Sequence, residues 1–194
     1  MLNKKDYQFM RKELEKFDKD REIIIKRSRD ILKDSKRAIY SVHREDLKEA
    51  ANLIKKAESE ISKLKAIIKK NPLLDSVHAF NAGLQEYAEA ACYFGFVKNK
   101  KIPTKKQLKI GAEDYLMGIC DLTGELGRRA VNLSVKKKYN EVLKIRELVD
   151  DIYGEFLKFN LRNSELRKKS DSIKWNLKKI EDIVYDLKTK GLLK

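Results

Sequence analysis

Two cysteines, two histidines, two prolines and one tryptophan in 194 residues exclude several kinds of chemistry at once. Cys92 and Cys120 each stand alone, with no CxxC spacing and no adjacent histidine. That argues against a zinc cluster or a thioredoxin-type redox motif, and it fits a reducing, cytoplasmic compartment. A di-iron helical bundle needs a Glu-x-x-His pair from each of two helices; neither His43 nor His78 follows a Glu at that distance. No apolar run approaches the roughly 18 residues that a transmembrane helix requires. The opening MLNKKDYQFMRKELEKF lacks the apolar core of a secretory signal. Neither secretion nor a membrane partner is expected.

Positive charge is abundant overall and missing locally. Lys and Arg number 45 against 30 Asp and Glu, a net charge of +15, which points to a polyanionic partner. Yet no Lys or Arg occurs in the 27 residues between Lys70 and Lys98, nor in the 18 between Lys109 and Arg128. The charged groups in these windows are all acids: Asp75, Glu86 and Glu89, then Glu113, Asp114, Asp121 and Glu125. The windows carry −7 and the remaining 149 residues carry +22.

With eight glycines and two prolines there are few helix breakers, and Lys, Glu, Leu, Ile and Ala dominate. The pattern predicts an all-α protein of about seven helices in one domain spanning residues 1–194. The first helix is expected over 4–42, with Phe17, Ile24, Ile31 and Ala38 at seven-residue spacing, a coiled-coil-like seam. Further helices are expected over 46–70 (ended by Asn71-Pro72), 74–97, 104–109, 110–133, 139–159 and 163–189, the last stopped by Gly191. Trp175 and Tyr185 fall off the apolar stripe of the last helix, which suggests a subunit contact or a base-stacking platform.

Glu86 and Glu89 are three residues apart, and Asp121 and Glu125 four apart, so each pair shares one helical face. Both pairs sit in largely apolar segments. Buried carboxylates must be protonated, paired with a cation from another helix, or bound to metal. Hard oxygen donors without Cys or His favour Mg²⁺ or Mn²⁺.

The stretches GLQEYAEA (Gly83 to Ala90), DYLMGICDLTGELGRRAVN (Asp114 to Asn132) and SRDILKDSKRAIYSVHR (Ser28 to Arg44) resemble the translin family in its translin-associated factor X (TRAX) branch. The segment from Leu161 to Gly191 is more similar to the C-terminal helix of the translin branch, and the Lys/Ile-rich composition suggests an archaeal-type member. The resemblance covers the chain in order. It implies a translin-like α–α superhelix and a Mg²⁺-dependent endoribonuclease acting on single-stranded RNA inside an octameric shell. It also implies that Glu86, Glu89, Asp121 and Glu125 are the catalytic, metal-holding acids. Lys36 and Arg128 match basic residues near that site and would hold the scissile phosphate. The rival reading is a non-catalytic, translin-like protein that binds single-stranded RNA or DNA. Lys98, Lys100, Lys101, Lys105, Lys106, Arg128 and Arg129 are candidates for lining an RNA cavity.

Overall fold

The computed structural model describes residues 2–193. Seven α-helices and one short 3-10 turn account for most of them, and no strand occurs among the described residues. The helices are α1 (Lys4–His43), α2 (Leu47–Lys70), α3 (His78–Asn99), α4 (Lys105–Leu108), α5 (Ala112–Val135), α6 (Tyr139–Phe156) and α7 (Glu165–Thr189). Their starts are set by side chains that accept otherwise orphaned N–H groups. Asn3 caps α1, Asp46 caps α2, Ser164 caps α7, and Thr104 forms a capping box with Gln107 at α4. The chain turns after α7 at Gly191, whose φ of +68° lies in the left-handed region that glycine enters without steric cost.

The third helix begins at His78 rather than near residue 74. Pro72 starts a 3-10 turn, Pro72–Ser76, in which the Leu74 N–H donates to the Asn71 carbonyl and the Leu74 side chain is buried. A local apolar contact thus uses residues that helical periodicity would assign to α3. Likewise α6 ends at Phe156, and the chain turns through Phe159, whose N–H donates to the Phe156 carbonyl. His43 and His78 occupy the last position of α1 and the first of α3.

The chain divides into two compact units, Met1–Ala90 and Ala91–Lys194. In the first, α1 and α2 form an antiparallel hairpin across a three-residue turn. Ion pairs run in opposite order along the two helices: Arg37–Glu49 at 3.3 Å, Lys56–Asp34 at 2.8 Å and Arg27–Glu60 at 3.4 Å. Ile24, Ile31, Ala38 and Val42 of α1 are buried, as are Leu53, Ala57, Ile61 and Leu64 of α2. The start of α3 rests on α1 at Gly83, where an added Cβ would stand 3.3 Å from the Ser28 carbonyl oxygen and 3.4 Å from Ile31 Cγ2.

In the second unit α5, α6 and α7 pack against one another. α5 and α7 run parallel: Gly124 lies beside Asn176 and Gly127 beside Ile180, and Asn176 Nδ2 donates to Thr123 Oγ1 at 2.9 Å. α6 is antiparallel to α7 and tied to it by Arg146–Glu181 at 3.2 Å. The loop before α4 folds onto the end of α3. Tyr115 Oη and Cys92 Sγ both donate to the Pro103 carbonyl, at 3.0 and 3.8 Å. Both cysteines are buried thiols.

Candidate functional site

The seven acids of the Lys/Arg-free windows separate into two groups once placed on the fold. Asp75 lies in the first turn of the 3-10 segment, and Glu113 and Asp114 lie in the first turn of α5. Negative charge at a helix start is favourable against the helix dipole, which suits Glu113 and Asp114 to their positions. The other four stand within helices: Glu86 and Glu89 in α3, Asp121 and Glu125 in α5.

In the first unit, Glu89 is buried, at 7% exposure, among Ala88, Ala90 and Ala91, and Glu86 is half-buried. Lys36 is exposed on α1, between the buried Ser35 and the exposed Arg37. Asp34, 4% exposed, is neutralised by Lys56 of α2. That hydrogen-bonded carboxylate holds the Lys56 ammonium above its usual pKa.

In the second unit, Asp121 and Glu125 are both half-buried on one face of α5. Each has a basic partner. Lys169 of α7 reaches across to the Asp121 carboxylate in a direct ion pair. Arg128 approaches Glu125 at 3.8 Å, one turn along the same helix. Of the three fates open to buried carboxylates, Asp121 shows pairing with a cation from another helix. Arg129 is buried, at 9% exposure, so it leaves the set of surface cations that could line a cavity. It hydrogen-bonds Tyr93 instead. Burial pushes the Tyr93 phenol up to about 12; the nearby Glu125 carboxylate adds to the rise and the Arg129 guanidinium opposes it. Burial also pushes the Cys120 thiol up to about 12, with Asp121 reinforcing and Lys169 offsetting. That thiol is protonated at neutral pH, an inert core group rather than a nucleophile.

The donor chemistry, four carboxylates without thiol or imidazole, suits a hard divalent ion. Among the described residues, no group of three or more His, Cys, Asp and Glu is placed to hold a metal, and Asp121 is taken up by Lys169. Lys98, Lys100, Lys101, Lys105 and Lys106 are exposed. Lys98 and Lys100 lie 5.3 Å from the ring centres of Phe94 and Phe96, and Lys100 also lies 3.8 Å from Glu141. Trp175 and Tyr185 are 60% and 68% exposed, on the outer face of α7.

Reading the sequence alone missed Lys169 and Tyr93, and it set Arg129 on the surface where the structure buries it. Lys169 sits in a run of basic residues with nothing in its spacing to single it out. Arg129 did carry a signal: it falls at the helical spacing of Leu122, Leu126 and Leu133, on the buried stripe of α5.

An all-α bundle with paired carboxylates in its apolar helices and lysines on its surface defines the class. The chain belongs to the translin family, whose model matches residues 19–191. Mouse translin-associated protein X is 27% identical over 211 aligned positions, which cover 88% of this chain and 73% of that protein. Chicken translin is 43% identical over 82 residues, and human translin 37% over 90; these stretches are 36% and 40% of those proteins' lengths. A crystal structure described as apo-NeC3PO superimposes with a TM-score of 0.85 at 29% identity, covering 95% of this chain and 97% of that one. A structure described as an AfC3PO–duplex RNA complex does so with a TM-score of 0.87 at 23% identity, covering 97% and 100%. Fold and family are thus those that the sequence motifs imply. No helix among the described residues is long and apolar enough to cross a membrane.

Proposed function

We propose that this chain binds RNA as a self-assembling, TRAX-like subunit and is a Mg²⁺- or Mn²⁺-dependent endoribonuclease on single-stranded RNA. The observation that carries the reading is the placement of Glu86, Glu89, Asp121 and Glu125 as two half-buried to buried pairs in apolar helices, in a chain similar to TRAX over 88% of its length. The surface is otherwise strongly basic, and a relative of the same fold is described as a complex with duplex RNA. In this reading the four carboxylates hold the divalent ion, and an octameric shell of identical chains in the cytoplasm encloses the substrate. When bound, the ion supplies an activated water and offsets charge on the phosphate. Lys36 and Arg128, both exposed, orient the phosphodiester, and Lys169 must release Asp121 before that carboxylate can serve.

The second reading, a non-catalytic binder of single-stranded RNA or DNA, is favoured by the Asp121–Lys169 ion pair, which neutralises Asp121 without a metal. One experiment separates the two. Pure protein is incubated with a labelled single-stranded RNA in Mg²⁺ and in EDTA, beside a Glu89→Gln variant. Cleavage in Mg²⁺ only, lost by at least about a hundredfold in the variant while its melting temperature stays within a few degrees, supports the nuclease. Binding without cleavage in either buffer supports the binder.

A further inference from the structure

The first three turns of α1 carry apolar side chains that are exposed along their whole length. At 1.5 Å per residue, the 40 residues of α1 extend about 60 Å and the 24 residues of α2 about 36 Å. Because α2 folds straight back along α1, about 24 Å of α1 runs past its end. Burial follows this arithmetic: residues 4–16 are all exposed, and the first buried position of α1 is Ile24.

The overhang nevertheless continues the buried seam. Tyr7, Met10, Leu14 and Phe17 follow the three-four spacing of a heptad seam and keep the register of Ile24, Ile31 and Ala38. Where α2 is present this seam is core; where it is absent, Tyr7 is 48%, Met10 39% and Leu14 63% exposed. A contiguous apolar stripe of this kind marks an interaction site. At its base lies a groove of about 620 Å³, walled by Leu14, Phe17, Ile67, Pro72 and Leu73.

Charge identifies the occupant. Residues 4–20 carry six Lys or Arg and five Asp or Glu, so they are nearly neutral in a chain of +15 and offer little to a polyanion. The charge is also divided along the helix: residues 4–12 carry +3 and residues 13–20 carry −2. An antiparallel copy of the same segment is its own complement. It sets the basic end of one helix against the acidic base of the other and Tyr7 of one against Phe17 of its mate. The apolar first turns of each helix then reach the groove at the base of the other.

We infer that α1 residues 4–20 dock, antiparallel and two-fold, on the same segment of a second copy of this chain. The interface is isologous, so it closes on itself and makes a pair that a larger assembly can repeat. This inference rests on the self-assembly proposed above and names the surface that begins it.

The test measures native mass by sedimentation of the full chain at micromolar concentration. Met10→Glu with Leu14→Glu should at least halve the mass without loss of helical circular dichroism, because both positions are exposed. Lys4→Glu with Lys5→Glu should also dissociate the pair, and Asp18→Lys with Asp20→Lys in the same chain should restore it. For orientation, Tyr7→Cys with Phe17→Cys should form a disulfide-linked dimer under mild oxidant, whereas Tyr7→Cys alone should not. A wild-type monomer overturns both this inference and the assembly reading. A wild-type assembly whose mass is unmoved by the Met10/Leu14 variant overturns this inference alone. A cross-link through Tyr7→Cys alone overturns the antiparallel geometry. Full retention of a different protein partner, in place of self-pairing, overturns the choice of occupant.

Discussion

Lys169 of α7 and Asp121 of α5 form an ion pair in which each side chain is only 34% exposed. The pair lies near the Asn176–Thr123 hydrogen bond, at the place where α5 and α7 run side by side. It gives one carboxylate of the candidate site a counter-charge that comes from the chain itself. Any divalent ion at Asp121 therefore competes with an ammonium already in place. Replacing Lys169 by Gln removes the competitor and keeps the carboxylate, so Mn²⁺ should bind several-fold more tightly in K169Q than in the wild type. An electron paramagnetic resonance titration of free Mn²⁺ measures this without any need for turnover. Equal affinity in the two proteins would show that the ammonium does not compete.

The same pair makes a modest claim on stability. Partly exposed ion pairs contribute about 0–1 kcal/mol. Asp121→Asn and Lys169→Gln should each lower the urea-unfolding free energy by no more than about 1 kcal/mol, and a double-mutant cycle should return a coupling of similar size. A coupling of several kcal/mol would mean that the pair is a structural tie of the bundle rather than an exchangeable counter-ion.

RNA affinity should fall steeply with salt. The residues outside the two acidic windows carry +22, and Lys98, Lys101, Lys105 and Lys106 stand exposed around the α3–α4 loop. Each phosphate neutralised on a single strand contributes a slope of about −0.7 in log K against log salt. Lys105→Ala with Lys106→Ala should therefore reduce that slope by about 1.4 if both touch RNA, as read by fluorescence anisotropy across a salt series. An unchanged slope would leave these two lysines on a merely solvated face.

Much of this was legible in the order of residues. The seven-residue repeat of Ile24, Ile31 and Ala38 marked α1, and Pro72 and Gly191 marked breaks where the chain does turn. The two Lys/Arg-free windows fell on α3 and on the start and middle of α5. What periodicity could not supply was local competition and long-range pairing. Leu74 is buried in a 3-10 turn because Pro72 allows one, so α3 starts late. Lys169 is 48 residues from Asp121 and looks like every other lysine in its helix; only the parallel packing of α5 on α7 joins them. Phe17 reads as part of the seam because the seven-residue spacing is continuous, yet the seam outruns its partner helix.

Alkaline pH should destabilise the fold. Burial raises Cys120, Tyr93 and Tyr115 each to about 12, above ordinary values of 9.0 for the thiol and 10.0 for the phenols. In the folded state these groups keep their protons at a pH where the unfolded chain has lost them. Their contribution is therefore complete below about pH 9 and is lost as pH rises towards about 12. Urea midpoints should be level from pH 7 to 9 and decline beyond it. Cys120→Ala should flatten the onset of that decline, and a midpoint that rises between pH 9 and 11 would contradict the assignment.

The glycines offer a paired test of the packing. Gly95 sits under the loop before α4, where an added Cβ would stand 2.7 Å from the Lys101 carbonyl oxygen and 2.9 Å from Pro103 Cδ. Both obstacles belong to backbone or to a proline ring, so neither can swing aside. The loop would have to lift, which also loosens the Pro103 carbonyl from Tyr115 and Cys92. Gly95→Ala should cost about 1–3 kcal/mol, the usual penalty for overpacking. Gly154 lies inside α6 with nothing within 4 Å of an added Cβ, so the substitution meets no obstacle and gains helix propensity. Gly154→Ala should stabilise by about 0.5–1 kcal/mol. Because both changes add one methyl group to a helical glycine, opposite signs in thermal melts would isolate the contact at Pro103 as the cause. Stabilisation of both would mean that the loop does not rest on α3.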